Sequence, residues 1–302
     1  MTAADAQIPV VLFAYARPEH LARTLASLRA NAVPRLIAFC DGPKGPRDSN
    51  QVGQVRAQLR AVDWTEVELV ERPANLGLGK SVLAGVTEVA QRHEAFIVFE
   101  DDLICVPGTY AWMAAALRHY QDQPRVFSVT GWTHPRVQPA RAGPSAYFDA
   151  RAESWSWGAY ARAWRGMDQT AQSKMAAVGR SGNAADTCGA DLPAMAEREE
   201  RDNLWAVRWL YHHLQNGGLC LRPPVSLVRH AGFDAYATNA TFDEAWSGAV
   251  LAEQAPAPVG WPMVREAVGC RALWQRAAPA PRGRLSRAWR RVLRLARGHF
   301  HS

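Results

Sequence analysis

The 302-residue sequence predicts an α/β fold with a mostly parallel sheet flanked by helices. Three observations predict it. Short apolar runs recur at residues 8–16, 36–40, 67–70 and 95–99, each about the length of a buried strand. Stretches of helical period separate these runs, and strands alternating with helices argue for βαβ units. The composition, 48% apolar and 21% charged, is that of a globular chain and excludes disordered, collagenous and coiled-coil classes.

Each element has its own signal. Residues 8–16 (IPVVLFAYA) form the first strand, and Arg17-Pro18-Glu19 opens a helix through residue 28, with Pro pre-organised for an early helical position. Residues 36–40 (LIAFC) form a second strand, stopped by Asp41-Gly42-Pro43. A helix is expected over 52–62 and a strand over 67–70. Residues 75–79 (NLGLG) make a glycine turn before a helix over 80–91. The fourth strand, 95–99 (AFIVF), runs into Glu100-Asp101-Asp102. Ligands of parallel sheets bind at the C-terminal ends of the strands, where Asp41 and this acidic triplet fall.

The second half is less regular. Residues 147–166 are rich in Trp and Tyr, and the small, polar stretch 170–195 reads as a loop. Residues 202–214 read as one helix with Asp202 at its head and Trp205 and Trp209 at helical spacing. Pro- and Ala-rich stretches near 254–258 and 277–283 read as linkers. The organisation expected is one domain over 1–250, in two halves that divide at about residue 135, then a linker region over 251–281 and a tail over 282–302.

Charge separates the tail from the body. The net charge is +7, and residues 282–302 carry seven Arg with no Lys and no acid. Without them, 28 basic residues balance 28 acidic ones. A neutral body with no recognition motif argues against nucleic-acid binding. Leu285, Trp289, Val292, Leu293, Ala296 and Phe300 recur between the tail arginines at helical spacing. That pattern suits a helix lying on an anionic membrane surface. No run is long enough to span a bilayer, and residues 1–7 lack the pattern of a secretory signal. The five Cys are scattered, matching neither a disulfide framework nor zinc spacing, so reduced, packed thiols of a cytoplasmic protein are expected.

Three features carry chemistry. Adjacent carboxylates repel, so Glu100-Asp101-Asp102 is poorly placed unless water or a hard cation such as Mg²⁺ or Mn²⁺ relieves it. A solvated strand end is the plain alternative. Residues 74–81 (ANLGLGKS) miss a Walker A loop by one position, because Ala74 replaces its first glycine. An NTPase or kinase is therefore an alternative, although residues 71–73 separate this loop from its strand and Ala adopts the leading turn poorly. Asp202 is a carboxylate at a helix start, which is also where a simple cap sits. The adjacent His212 and His213 point in different directions on a helix and chelate poorly.

Taken in order, these pieces resemble a nucleotide-sugar-dependent glycosyltransferase of the GT-A fold, bacterial and family-2-like, and distantly the Golgi N-acetylglucosaminyltransferase that begins hybrid N-glycan branching. The resemblance runs over residues 8–234 through IPVVLFAYAR, FCDG, RPANLGL, FEDDL, RAESWSWGAYARAW, DNLWAVRW, RPPVSLV and GFD. Two departures are His230-Ala231 before the Gly-Phe-Asp and the permuted order of Ser154-Trp155-Ser156-Trp157-Gly158.

The resemblance implies a metal-dependent, inverting transfer of a sugar from a nucleoside-diphosphate sugar, a UDP-sugar by expectation, to a hydroxyl of a glycan or glycolipid in surface polysaccharide assembly. It implies donor contacts from Ala14, Tyr15, Arg17, Asp41, Asn75, Lys80, Glu100 and Asp101. Asp41 would meet the base, Arg17 and Lys80 the diphosphate, and Glu100 or Asp101 the ribose. Asp102, with His230 as a second candidate, would hold Mn²⁺ or Mg²⁺. Asp202 would be the catalytic base, and Trp155 and Trp157 an acceptor-stacking surface. With the tail, it implies an enzyme peripheral on the cytoplasmic face of the inner membrane. A non-catalytic carbohydrate-binding protein is the other alternative, and it would tolerate loss of Asp102.

Overall fold

The computed structural model describes residues 7–139, 145–232 and 249–280. The first half runs β1 (Val10–Ala14), α1 (Pro18–Ala30), β2 (Arg35–Cys40), α2 (Ser49–Arg60), β3 (Glu66–Glu71), α3 (Leu78–Ala90), β4 (Ala95–Glu100), β5 (Leu103–Cys105), α4 (Thr109–His119) and β6 (Val126–Thr130). The second half adds β7 (Tyr147–Asp149), β8 (Trp157–Tyr160), α5 (Ala161–Trp164), α6 (Ala171–Arg180), α7 (Leu192–Ala196), α8 (Glu199–Asp202), α9 (Trp205–Asn216), β9 (Leu219–Arg222), β10 (Val228–His230) and α10 (Cys270–Ala277).

A mixed sheet of eight strands, in the order β3-β2-β1-β4-β8-β6-β9-β7, forms the centre, and β10 pairs with β5 in a separate ribbon. β3, β2, β1 and β4 are parallel neighbours, while β8 runs against both β4 and β6. Every residue of β1 is buried, as the continuous apolar run requires of a central strand covered on both faces. In register, Ala14 lies beside Cys40 and Phe13 beside Glu100, so β1, β2 and β4 end together. The residues just past those ends are Tyr15 to Arg17, Asp41 and the acidic pair Asp101-Asp102.

Three expectations change. The stretch read as a loop, 170–195, contains α6 and α7, with Ala171, Lys174, Val178 and Leu192 buried against the core. The single helix read over 202–214 is broken at Asn203, whose φ of 55° is left-handed. Asp202 is therefore the last residue of α8, not the head of α9.

The linker region is packed over its described part. Trp261 lies against Trp112 and His119 of α4, and Tyr120 Oη donates to the Pro262 carbonyl at 2.6 Å. In α10, Trp274 is fully buried and its Nε1 donates to Asp149 Oδ2 at 2.7 Å. Arg222, itself fully buried, donates to the same oxygen at 3.0 Å. A buried arginine needs such partners, and α10 covers them. The tail over 282–302, with Phe233 and Asp234 of the Gly-Phe-Asp string, lies outside the described residues.

All five Cys are free and buried. Among the described residues, no helix is long and apolar enough to cross a membrane.

Candidate functional site

A cleft of about 450 Å³ opens at the C-terminal ends of β1, β2 and β4, a size typical of small-ligand sites. It is lined by Ala14, Tyr15, Arg17, Asp41, Asn75, Glu100, Asp101, Asp102 and His230, each expected there from sequence, and also by Lys44, Ser81 and Asn203, which were not assigned to the donor site. Lys80 and Asp202 are not among its lining residues.

The acidic triplet is arranged by β1 and α1. Asp101 is buried; its Oδ2 accepts the Tyr15 backbone N–H at 3.0 Å, and its Oδ1 is bound by Arg17. Arg17 also donates to Asp102 Oδ2 at 2.7 Å. Burial opposes the charge on Arg17, but Asp101 and Asp102 outweigh it, so its pKa is raised. Burial first, and then the negative charge of Asp102, raises the pKa of Glu100, whose carboxyl faces the cleft. Burial also raises Asp101, against the pull of Arg17. Burial and mutual repulsion thus disfavour full ionisation of the triplet, and one arginine only partly offsets them.

Asp102 is 3% exposed, and its Oδ1 has no hydrogen-bond partner. An orphaned buried carboxylate oxygen is costly and calls for a donor or a cation. Among the described residues no three His, Cys, Asp or Glu side chains converge on one point. Mg²⁺ and Mn²⁺ need no such cage, because one or two carboxylates, waters and ligand phosphates suffice. The residues present therefore fit a hard divalent ion, with Asp102 Oδ1 the atom that would take it.

His230 fits that ion less well. Its Nδ1 accepts the Gly232 N–H at 3.1 Å, so the ring proton sits on Nε2, which faces Asp102 Oδ2 at 3.5 Å. In that tautomer neither nitrogen offers a metal a lone pair. Burial lowers the imidazole's pKa, which keeps it neutral. Gly232 is required here, since a Cβ would collide with Asp102 Oδ2 and press on Arg17.

Asp41 is occupied on both oxygens. Oδ1 accepts from Arg72 Nη1 at 3.0 Å and Ser81 Oγ at 3.1 Å, and Oδ2 from the N–H groups of Leu76 at 2.9 Å and Gly77 at 3.1 Å. A carboxylate has about four acceptor sites, and all four are in use. Asp41 shapes the glycine turn and has no site left for a base.

The next two amides of the turn are taken as well. With its carbonyl turned toward them, Asn203 accepts from Leu78 N at 3.2 Å and Gly79 N at 3.1 Å. Four consecutive N–H groups, 76–79, are thus satisfied by protein. A phosphate loop needs such groups open toward the ligand. The Walker-like reading of 74–81 fails on that ground, and Lys80 is exposed outside the cleft. The cleft's exposed cation is Lys44 instead, 5.5 Å over the Tyr15 ring. Its loop is held by Asp48, whose carboxylate accepts from Lys44 N, Gly45 N and the Tyr15 hydroxyl.

Three acceptor-side expectations separate. Trp157 is fully buried in β8, edge-on to Phe96 and close to Trp164, Trp205 and Trp209, so it belongs to the core and cannot stack on an acceptor. Trp155 is half-buried, 4.6 Å from the His230 ring and 4.8 Å from Trp132, beside the cleft. Asp202 is bound by Arg201 Nε at 2.9 Å and Arg198 Nε at 2.7 Å, which hold its carboxyl down to about 2. A group so acidic is a poor base while those pairs persist.

The fold and cleft define an α/β protein with an acidic, hard-cation-compatible site at its strand ends. No family model matches the chain, and no curated protein matches it in sequence. In structure, it is similar to a mannosyltransferase from Pyrobaculum calidifontis in complex with GDP-mannose and Mn²⁺, with 13% identity over 51% of this chain and 44% of that one, and a TM-score of 0.38. It is also similar to HddC from Yersinia pseudotuberculosis, with 14% identity over 41% and 57% of the two chains and a TM-score of 0.28. A third likeness is to an apo UDP-glucose pyrophosphorylase, with 13% identity over 54% and 80% and a TM-score of 0.31. The chain thus spans under half of the mannosyltransferase's length. Likenesses this partial carry no argument about the cleft.

Proposed function

We propose that the chain is a metal-dependent, inverting glycosyltransferase that moves a sugar from a nucleoside-diphosphate sugar, a UDP-sugar in the first instance, to a hydroxyl of a glycan or glycolipid. The observation that carries this reading is the unpartnered, buried Asp102 Oδ1 in a cleft at the ends of three parallel strands. Bound there, Mn²⁺ or Mg²⁺ supplies Lewis-acid stabilisation of the leaving diphosphate. Arg17, and Lys44 in place of Lys80, offer positive charge to the same group. Tyr15, Ala14 and Asn75 form the wall that takes the nucleoside, and Glu100 or Asp101 the ribose hydroxyls. Asp41 acts through the turn it holds.

In the transfer, the acceptor oxygen bonds to the anomeric carbon as the bond from that carbon to the diphosphate oxygen breaks, and Asp202 takes the acceptor's proton. Arg198 and Arg201 must first release that carboxylate. Both are exposed, at 46% and 70%, and exposed ion pairs hold weakly, so releasing the carboxylate costs little. Trp155 offers a ring beside the cleft for the acceptor sugar.

A thermal-shift panel of nucleotide sugars with and without Mn²⁺ tests the reading. A ligand at 100 times its Kd stabilises by about 2.7 kcal/mol, so the true donor stands out by a metal-dependent shift. Asp202→Asn should keep that shift yet lose more than about tenfold in turnover. A panel without any metal-dependent shift refutes the proposal.

A further inference from the structure

The glycine turn and the segment carrying Asp202 meet at one side chain. Helix α3 begins at Leu78, and an α-helix leaves its first amides without intrahelical acceptors. Gly77, at the N-cap with φ of 77°, has no side chain to serve them. The acceptor comes from the other half of the chain, as the Asn203 carbonyl that meets Leu78 N and Gly79 N. The glycines fit this contact: a Cβ on Gly77 would come within 2.7 Å of the Asn203 amide, and one on Gly79 would collide with it. They are the footprint of Asn203 and not of a phosphate.

Asn203 is also the break between α8 and α9. Its left-handed φ of 55° is one that asparagine accepts more readily than most residues. Its side chain lines the cleft while the adjacent Asp202 stays outside. The turn behind it is braced, because Glu199 binds Arg208 of α9 through one oxygen and accepts the Ala171 N–H at 2.7 Å through the other. Asp202 is joined directly to Asn203, so the backbone that Asn203 anchors sets where Asp202 stands relative to the cleft.

We infer that Asn203 is a positioning residue that clasps the Asp202 segment to the donor-side glycine turn, so that ligand binding at the turn is transmitted to residues 198–206. The part that Asp202 plays in this rests on the glycosyltransferase reading, but the clasp itself does not.

Amide hydrogen exchange of the full chain tests both parts separately, for wild type, Asn203→Ala and Asn203→Asp. In the free protein, Asn203→Ala should speed exchange of the Leu78 and Gly79 amides roughly fivefold, the effect of losing a helix cap, and should loosen residues 198–206. Asn203→Asp keeps an acceptor at a helix N-terminus and should restore protection. UDP or GDP with Mn²⁺ should then protect both segments in wild type but only the turn in Asn203→Ala. Unchanged exchange at Leu78 and Gly79 in Asn203→Ala overturns the clasp. So does protection of 198–206 by nucleotide that survives the substitution. If neither nucleotide alters exchange in wild type, the donor reading falls, and the free-protein comparison still decides the clasp.

Discussion

Asp41 and Asp102 follow β2 and β4 on either side of β1, yet their oxygens are in opposite states. Asp41 has four donors, whereas Asp102 keeps one buried oxygen open. Sequence marks both as acids after buried strands but cannot report which oxygens are in use, because the donors to Asp41 come from residues 72–81. The two lysines show the same limit. Lys80 stands in a Walker-like string, but its buried neighbour Ser81 faces Asp41, and successive helical side chains diverge by about 100°. Lys44 sits in a loop marked only by Gly and Pro, and it reaches the cleft through the hold of Asp48 on that loop. Lys44→Ala should weaken nucleotide binding roughly threefold to tenfold at low salt, and Lys80→Ala less than about twofold. Titration of a nucleoside diphosphate with Mn²⁺ into both variants checks this, and equal losses would return Lys80 to the site.

At the scale of elements, the four strands of the parallel half and the three helices between them lie within a few residues of the positions read from periodicity. Each depends on its own apolar run. The break at Asn203 was not legible, because residues 197–203 hold no apolar residue whose spacing could place a helix boundary, and the left-handed turn that asparagine accepts is held by a contact with the distant α3. The adjacent histidines of α9 do diverge as helical geometry requires. His212 meets Lys174 and the Ala163 carbonyl, while His213 meets Ser128 at 2.8 Å and the Trp209 carbonyl. Burial holds them down to about 4 and about 3. The unfolded imidazoles titrate near 6.5, so above that pH neither state takes a proton and the native state keeps its full stability. As pH falls below 6.5 the unfolded chain gains protons that the folded chain refuses, and stability drops toward pH 4. At pH 5 the loss is about 2 kcal/mol per histidine. Urea unfolding at pH 7 and pH 5 should show this fall, reduced in His213→Gln. A pH dependence identical in the variant contradicts it.

For the whole molecule, composition was a poor guide after residue 250. Pro and Ala between 251 and 281 suggest a linker, yet α10 seals Arg222 and Asp149 through Trp274. That pairing joins residues far apart in sequence, and no local pattern announces it. The arginine-rich tail is the one region where charge alone supports a role, which we propose is contact with an anionic membrane on the cytoplasmic face. Each arginine near such a surface contributes about 1 kcal/mol. The full chain should co-sediment with vesicles containing anionic lipid, less so at high salt, and a chain ending before residue 282 should stay in solution. Equal partitioning of both forms contradicts the proposal.

The central claim is that Asp102 takes a divalent ion together with a nucleoside diphosphate. Calorimetric titration of UDP and of GDP into wild type and Asp102→Asn, with Mn²⁺ and with EDTA, tests it most directly. One of the two should bind wild type at least about tenfold more tightly with Mn²⁺, and the metal dependence should vanish in Asp102→Asn. Metal-dependent binding undiminished in Asp102→Asn, or no binding of either nucleotide, would contradict it.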